Sequence, residues 1–383
     1  MKTENPKGFK DIEDATKIVE IRRIMEEIMR LYNFTPVDIP IVEYEEFVKG
    51  ENPNDEAVSN IFKLKDRGNR KLALRYEFTF QLKRLIKNKK LPYKRYQTGP
   101  VFRDEPITGN RWRQFTQFDP DIIGSTIKDE AEILKVTSEI LNRLGIKFTI
   151  NINNKKLLNE VLEQQLIKNK EQVIREIDKL DKLSEEQVKA NLEKYNAKDL
   201  LRILKKPEKY FEEYSSYNEI KNLKKFCLLY NVKVNFQPFL ARGLSYYNGS
   251  VFEVKSNLKE TIAGGGSYPV NGIQCTGISF GLERLALIAK IPLSNKKVLI
   301  ISLNQDRQTL KLADKIRQLN IPTQIFYGKP TKALDYANSN NIPLAIFIGE
   351  EEVKSKKFKL KNMNTGKEKM ISEDKLENEL ERL

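Results

Sequence analysis

The stretch with the most chemistry in it is Leu240 to Val254, LARGLSYYNGSVFEV. From Tyr246 onward it alternates with aromatic and β-branched residues, which is strand periodicity. Arg242 stands between small residues just ahead of that strand. A guanidinium facing a cleft is costly unless an anion meets it. The glycine-rich run TIAGGGSYP follows at Thr261 to Pro269, where a ligand could approach the backbone closely. A second arginine, Arg284, opens a helix in ISFGLERLALI at Ile278 to Ile288. Upstream, RYQTGPVFR and RQFTQFDPDIIG read as two strands flanking a polar loop from Asp104 to Arg111, and Arg103 ends the first. Gln117 and Asp121 lie four apart on the second strand and so share a face. The plain alternative for that pair is a solvent-facing polar strand.

From Lys83 to Arg113 there are ten Lys or Arg and only two acidic residues, Asp104 and Glu105. Tyr93, Tyr96, Phe102, Trp112 and Phe115 interleave with that charge, a pattern suited to phosphate and base contact; a solvated basic hairpin is the bland alternative. The whole chain agrees in sign. Its 383 residues carry a net charge of +15, which points to a polyanionic partner, nucleic acid first, or simply to a lysine-rich surface. Histidine is absent, so catalysis must rest on arginine, carboxylate, amide and backbone groups, or on the substrate. Two distant cysteines, Cys227 and Cys275, fit a reducing compartment and no metal site. The N-terminus lacks an apolar core, and no apolar run reaches the ~20 residues of a membrane span, so a cytoplasmic protein is expected.

The remaining patterns would position these groups. Ala15 to Tyr32 has helical spacing with Asp14 as N-cap, and FTPVDIPIVEYEEF reads as a strand interrupted by Pro40. Ile61 to Tyr76 reads as a hairpin turning near Gly68, which delivers Glu77 and Thr79 to a strand end. Asp129 to Leu144 is a helix closed by Gly145. Lys155 to Lys225 is rich in Lys, Glu, Asn and Leu and reads as helical throughout. After Pro292, strands and helices alternate at the spacing of a separate α/β unit, and no GxGxxG follows any strand there.

RGLSYYNGSVFE resembles the histidine-specific signature of histidyl-tRNA synthetases, IAGGGSY their glycine-rich companion, and GISFGLERL the third signature of class II aminoacyl-tRNA synthetases. The resemblance implies an α+β catalytic domain on an antiparallel sheet in two parts, 1–154 and 226–291. It also implies a helical insertion at 155–225 and a C-terminal α/β anticodon-binding domain at 295–383. It implies a homodimer built on the long helix and the Pro40 strand, and Tyr76 in LRYEFT looks more like archaeal and eukaryotic members.

The activity implied is histidine–tRNA ligation, with L-histidine, ATP, Mg²⁺ and tRNA(His) as partners. By resemblance Arg103 and Arg242 flank the α-phosphate, and Arg284 holds the γ-phosphate. Glu105 meets the adenine amino group. Arg111 serves ATP, and Arg111 and Arg113 serve the tRNA acceptor end. Glu77 and Thr79 take the α-amino group. Gln117 and Asp121, framed by Tyr246 and Tyr247, take the imidazole, whose N–H and acceptor nitrogen call for such partners. No direct metal ligand is assigned. Two departures sit in the pocket wall: Ser245 replaces the usual Asp after RGL, and Ser267-Tyr268-Pro269 replaces the usual RYD. A histidine-binding regulator similar to the regulatory subunit of ATP phosphoribosyltransferase, and a non-catalytic RNA-binding paralogue, are the rival readings.

Overall fold

The computed structural model describes residues 3–50, 56–107, 109, 111–181, 183–241, 246–293 and 296–382. It divides into two compact units, Met1–Ile291 and Pro292–Leu383.

In the first unit the opening helix follows from its stripe. Ile21, Met25, Ile28 and Met29 recur at helical spacing in α1 (Thr16–Leu31) and are buried, while Asp14 accepts the Thr16 backbone N–H at 2.9 Å. The next segment is not one strand. Pro36 and Pro40 lack the N–H a ladder needs, and the chain forms β1 (Thr35–Pro36), β2 (Val42–Tyr44) and then a helix, α2 (Glu45–Lys49). After the short α3 (Glu56–Ser59), the hairpin β3 (Lys63–Lys65) and β4 (Lys71–Leu74) joins β2 in a three-stranded sheet. Asp66 holds its turn by accepting from the backbone of Gly68 and Arg70.

The main sheet is eight-stranded. A short α4 (Leu82–Leu85) precedes its long hairpin, β5 (Tyr93–Phe102) and β6 (Gln114–Ile123). Helix α5 (Ile127–Arg143) follows, started by a Thr126–Asp129 capping box, and then β7 (Thr149–Asn154). The helical stretch is α6 (Lys155–Gln164), α7 (Lys170–Asp178), α8 (Glu185–Glu193), α9 (Leu200–Leu204), α10 (Glu208–Phe211) and α11 (Tyr217–Leu229). The chain returns through β8 (Asn235–Phe236), β9 (Ser250–Lys255), β10 (Ala263–Val270) and β11 (Ile273–Gly281), and closes the unit with α12 (Leu282–Ile288). The strand order is β1-β5-β6-β11-β10-β9-β7-β8, with only the two short outer strands parallel to their neighbours.

Period-two alternation gives this sheet two unlike faces. Phe118 and Ile122 of β6, Ile278 and Phe280 of β11, Phe252 and Val254 of β9, and Ile150 and Ile152 of β7 join one apolar core with α1, α5 and α12. The same core runs on through Leu158, Val161, Leu192 and Leu223, so the helical stretch is welded to the sheet rather than hung from it. The opposite face is polar and carries the candidate site.

The second unit is an α/β sandwich. Its sheet has order β13-β12-β14-β15-β16, from β12 (Val298–Ser302), β13 (Thr323–Tyr327), β14 (Leu344–Ile348), β15 (Lys357–Asn362) and β16 (Glu368–Ser372). The first three are parallel and the last two form an antiparallel hairpin edge. Helices α13 (Asp306–Gln318), α14 (Pro330–Ser339), α15 (Glu350–Ser355) and α16 (Glu373–Arg382) complete it. Ala333 and Ala337 of α14 pack on one face of β12 and β14, and Leu312 and Ile316 of α13 pack on the other.

Candidate active site

The polar face is set by register. On β5 and β6, Arg95 pairs with Asp121, Gln97 with Asp119, and Gly99 with Gln117. On β11, Gly277 pairs with Asp121 and Gly281 with Gln117, which puts Ser279 in the same row. Cross-strand partners share a face, so these side chains form one floor. Glycine keeps it open where the packing is tightest. A Cβ at Gly277 would lie 1.9 Å from Asp121 Oδ1, and one at Gly266 on β10 would lie 2.9 Å from the Tyr247 ring.

At one end of the floor the groups are acidic. Asp121 is 4% exposed and Arg95 is fully buried. They form a 2.7 Å ion pair, and Tyr268 Oη donates to the other Asp121 oxygen. Burial pushes the Asp121 carboxyl up while Arg95 pulls it down. Glu77 Oε2 accepts from Tyr246 Oη at 3.1 Å, and Thr79 also bonds to Tyr246. Burial pushes Glu77 up to about 7 against the pull of Arg103. Tyr246, Tyr247 and Tyr268 pack with ring centroids 4.8 to 6.2 Å apart and wall this end. Gln117 donates to Ser279 Oγ at 2.7 Å, and its own carbonyl has no partner among the described residues.

At the other end the groups are basic. Arg103 donates to the Tyr76 carbonyl at 3.1 Å and lies over the Phe115 ring. Arg284, in the first turn of α12, donates to the Thr261 carbonyl at 2.8 Å. Burial lowers the Arg284 pKa, and the neighbouring cations Arg111 and Arg103 lower it further, while Glu260 and Glu105 oppose them. Three guanidiniums thus crowd one region with two carboxylates nearby, and like charges so gathered need an anion between them. Glu283 fixes the same corner by accepting the Thr116 backbone N–H at 2.9 Å.

Arg242, and Ser245 beside it, lie outside the described residues. Arg113 turns away: it pairs with Asp104 at 3.1 Å, donates to the Glu105 carbonyl, and packs its stem against Gly8. Arg111 and Glu105 are 3.9 Å apart. Three floor residues carry little local signal in the sequence. Arg95 stands inside a run of basic residues. Asp119 and Gln97 were hidden by their neighbours, although alternation with Phe118 and Ile122 marks 117, 119 and 121 as one row.

A family profile described as Histidyl-tRNA synthetase matches residues 8–285, and one described as Anticodon binding domain matches residues 297–383. The chain belongs to the histidyl-tRNA synthetase family. Among its relatives, Histidine--tRNA ligase 1 of Bacillus thuringiensis subsp. konkukian is 32% identical, covering 99% of this chain and 100% of the relative. Histidine--tRNA ligase of Wolinella succinogenes is 31% identical over 94% of each. Both are bacterial, and the archaeal or eukaryotic character read from Tyr76 is not supported: a single side chain beside Glu77 is a weaker marker than likeness along the whole chain. The fold of histidyl-tRNA synthetase from Nostoc sp. PCC 7120 covers 100% of this chain and 99% of that one with a TM-score of 0.86 at 23% identity. A structure titled as an ATP phosphoribosyltransferase regulatory subunit/histidyl-tRNA synthetase from Bacillus halodurans C covers 88% and 96% with a TM-score of 0.74 at 21% identity, so the fold is common to both titles.

Proposed function

We propose that this histidine–tRNA ligase uses the acidic end of its floor for histidine and the basic end for ATP. The observation that carries this is the opposition itself: β5 runs from Arg95, paired with Asp121, to Arg103 just beyond its last residue, near Arg284. A histidine molecule laid along it has its α-ammonium at Glu77 and Thr79, its imidazole against Gln117 and the tyrosines, and its carboxylate toward Arg103.

In the first step a histidine carboxylate oxygen attacks the α-phosphorus of ATP. The bond to the bridging oxygen breaks, and pyrophosphate leaves with the electron pair. The nucleophile is already ionised, so no side-chain base is required, which suits a chain without histidine. The need is for alignment and for cations where phosphate charge grows. Arg103 supplies that at the α-phosphate, with Arg242 the expected partner, and Arg111 and Arg284 hold the outer phosphates. In the second step a terminal ribose hydroxyl of tRNA(His) attacks the carbonyl carbon, AMP leaves, and the departing phosphate is the nearest base for the hydroxyl proton.

Among the described residues no cluster of three His, Cys, Asp or Glu could hold a metal. Mg²⁺ commonly binds through one or two carboxylates, substrate phosphates and water, and Glu105 and Glu260, the acids facing Arg284, fit that mode. When bound it would neutralise charge on the β- and γ-phosphates.

The second unit would meet the anticodon end of the tRNA. Arg111 suits the acceptor end better than Arg113, which is held by Asp104. A homodimer would use the small sheet's surface, where Ile41, Val42, Tyr44 and Leu64 are exposed. Pocket groups that hydrogen-bond the imidazole would be left unpaired by an apolar amino acid, a rejection of roughly 10⁴-fold. ATP–pyrophosphate exchange that depends on histidine, and charging of tRNA(His), are the expected results. Histidine binding without exchange would instead place the protein with the non-charging regulators.

A further inference from the structure

On the helix side of the sheet, behind the tyrosine wall, lies a carboxyl group that the mechanism does not use. Glu130 stands in the first turn of α5 and is 7% exposed. The Ser250 and Ser267 hydroxyls bond to its carboxyl, yet its Oε2 has no hydrogen-bond partner among the described residues. Lys156 of α6 pulls on it from a distance but is held by Glu219 of α11 at 2.5 Å, and Glu219 is itself a like charge facing Glu130. Cys227 of α11 is the other titratable neighbour; burial, and then Glu130, push its thiol up to about 12. A buried carboxyl among hydroxyls, a thiol and a second acid favours its neutral form, and burial pushes Glu130 up to about 7. Ser267 stands where the usual pattern has arginine, so here this carboxyl meets a hydroxyl in place of a guanidinium.

The two serines hold the tyrosines from the rear. Ser250 opens β9 directly after Tyr246, Tyr247, Asn248 and Gly249, and Ser267 precedes Tyr268 on β10. Ser267 Oγ donates to the Ser250 carbonyl at 3.4 Å, and the Ser267 carbonyl accepts the Asn248 N–H at 3.1 Å. A Cβ at Gly249 would lie 2.6 Å from Ser267 Oγ, so the turn is pressed against that hydroxyl. Resting on the reading of the tyrosine-walled pocket as the histidine site, we propose that Glu130 is a positioning residue for histidine binding, fixing Tyr247 and Tyr268 from behind the sheet through Ser250 and Ser267. Neutral, its carboxyl fits the buried site without a charge to solvate. Ionised, it must gain solvent at Oε2, and the serines and the turn they hold shift to admit it.

The test uses the full chain with Glu130→Gln and Glu130→Leu, read by histidine and ATP KM in pyrophosphate exchange at pH 6 and pH 8. Calorimetry of histidine binding in two buffers of unlike ionisation heat counts the protons taken up. Glu77 and Asp119 are present in every variant, so the difference between wild type and Glu130→Gln isolates Glu130. Full dependence on its proton would raise histidine KM about tenfold from pH 6 to pH 8, so that rise should exceed the Glu130→Gln rise by about three- to tenfold. Wild type should also take up more protons on binding histidine at pH 8. Glu130→Leu should raise histidine KM about tenfold at both pH values with ATP KM within about twofold, while Glu130→Gln restores it at pH 6. Equal pH responses of wild type and Glu130→Gln to within about 1.5-fold would overturn the proposal, whatever the melting temperatures, and so would a Glu130→Leu histidine KM within about threefold of wild type. Should Glu130→Leu fail to fold, Ser267→Ala serves: it should raise histidine KM about threefold or more, and an unchanged value would equally overturn the proposal. Absence of histidine-dependent exchange in the wild type would instead refute the functional reading beneath it.

Discussion

Asp121→Asn strands a buried guanidinium. Arg95 is fully buried, and without the carboxylate it keeps the carbonyls of Phe78 at 3.2 Å and Asp119 at 3.4 Å, neither of which offsets its charge. Arginine does not escape by losing its proton. Removing one partner of a buried pair costs about 3–5 kcal/mol, and the loss of the Tyr268 hydrogen bond to a charged acceptor falls within that. Arg95→Met is milder in charge, because Asp121 can take up a proton once its cation is gone, but it leaves two carbonyls unsatisfied. Arg95→Met with Asp121→Asn removes both charges, so it should cost less than the sum of the singles by about 1–3 kcal/mol. Urea unfolding at pH 7, following the transition of the larger unit, measures all three. Single-variant losses that add to the double within about 0.5 kcal/mol, or an Asp121→Asn loss below about 1 kcal/mol, would refute the reasoning.

Three other outcomes follow for the same unit. Glu77, Asp119 and Glu130 are pushed up by burial to about 7, 8 and 7, so the folded protein holds these protons more tightly than the unfolded chain. Their contribution is fully present below the unfolded values near 4 and is lost as pH rises through about 7 to 8, so the ligand-free melting temperature should fall between pH 5 and pH 8.5 and saturating histidine should reduce the slope. Gly266→Ala places a Cβ 2.3 Å from the Ser250 carbonyl oxygen and 2.9 Å from the Tyr247 ring; displacement of that ring should raise histidine KM more than ATP KM and cost about 1–3 kcal/mol, read by exchange kinetics and melting. Arg284→Lys loses the hydrogen bond to Thr261 and the planar fork, and should raise ATP KM about tenfold with histidine binding intact by calorimetry; equal ATP KM values would remove Arg284 from the triphosphate site.

Much of the fold could be read from local pattern. The long helix, the β5–β6 hairpin, the capped α5 and the alternating second unit each carry strong periodicity within a dozen residues. What failed was non-local. FTPVDIPIVEYEEF has strand composition, yet its prolines divide it and EEFVK turns helical. The basic run from Lys83 to Arg113 is uniform along the chain, but the fold divides it, burying Arg95 of β5 opposite Asp121 while Arg84 of α4 stays half-exposed against the buried Glu43. Gln117 and Asp121 were placed on one face correctly by period two. The same rule includes Asp119, but its burial against Gln97 and its bond to Ser279 come from two other strands that local pattern does not show.

A crystal structure of the full chain with histidinol and ATP tests the division of the floor most directly, since histidinol lacks the attacking carboxylate and leaves both ligands intact. The account predicts the imidazole over the row from Gln117 to Asp121, the amine at Glu77, and the α-phosphate against Arg103. An imidazole bound beside Arg284, or a triphosphate lying over Glu77, would contradict it.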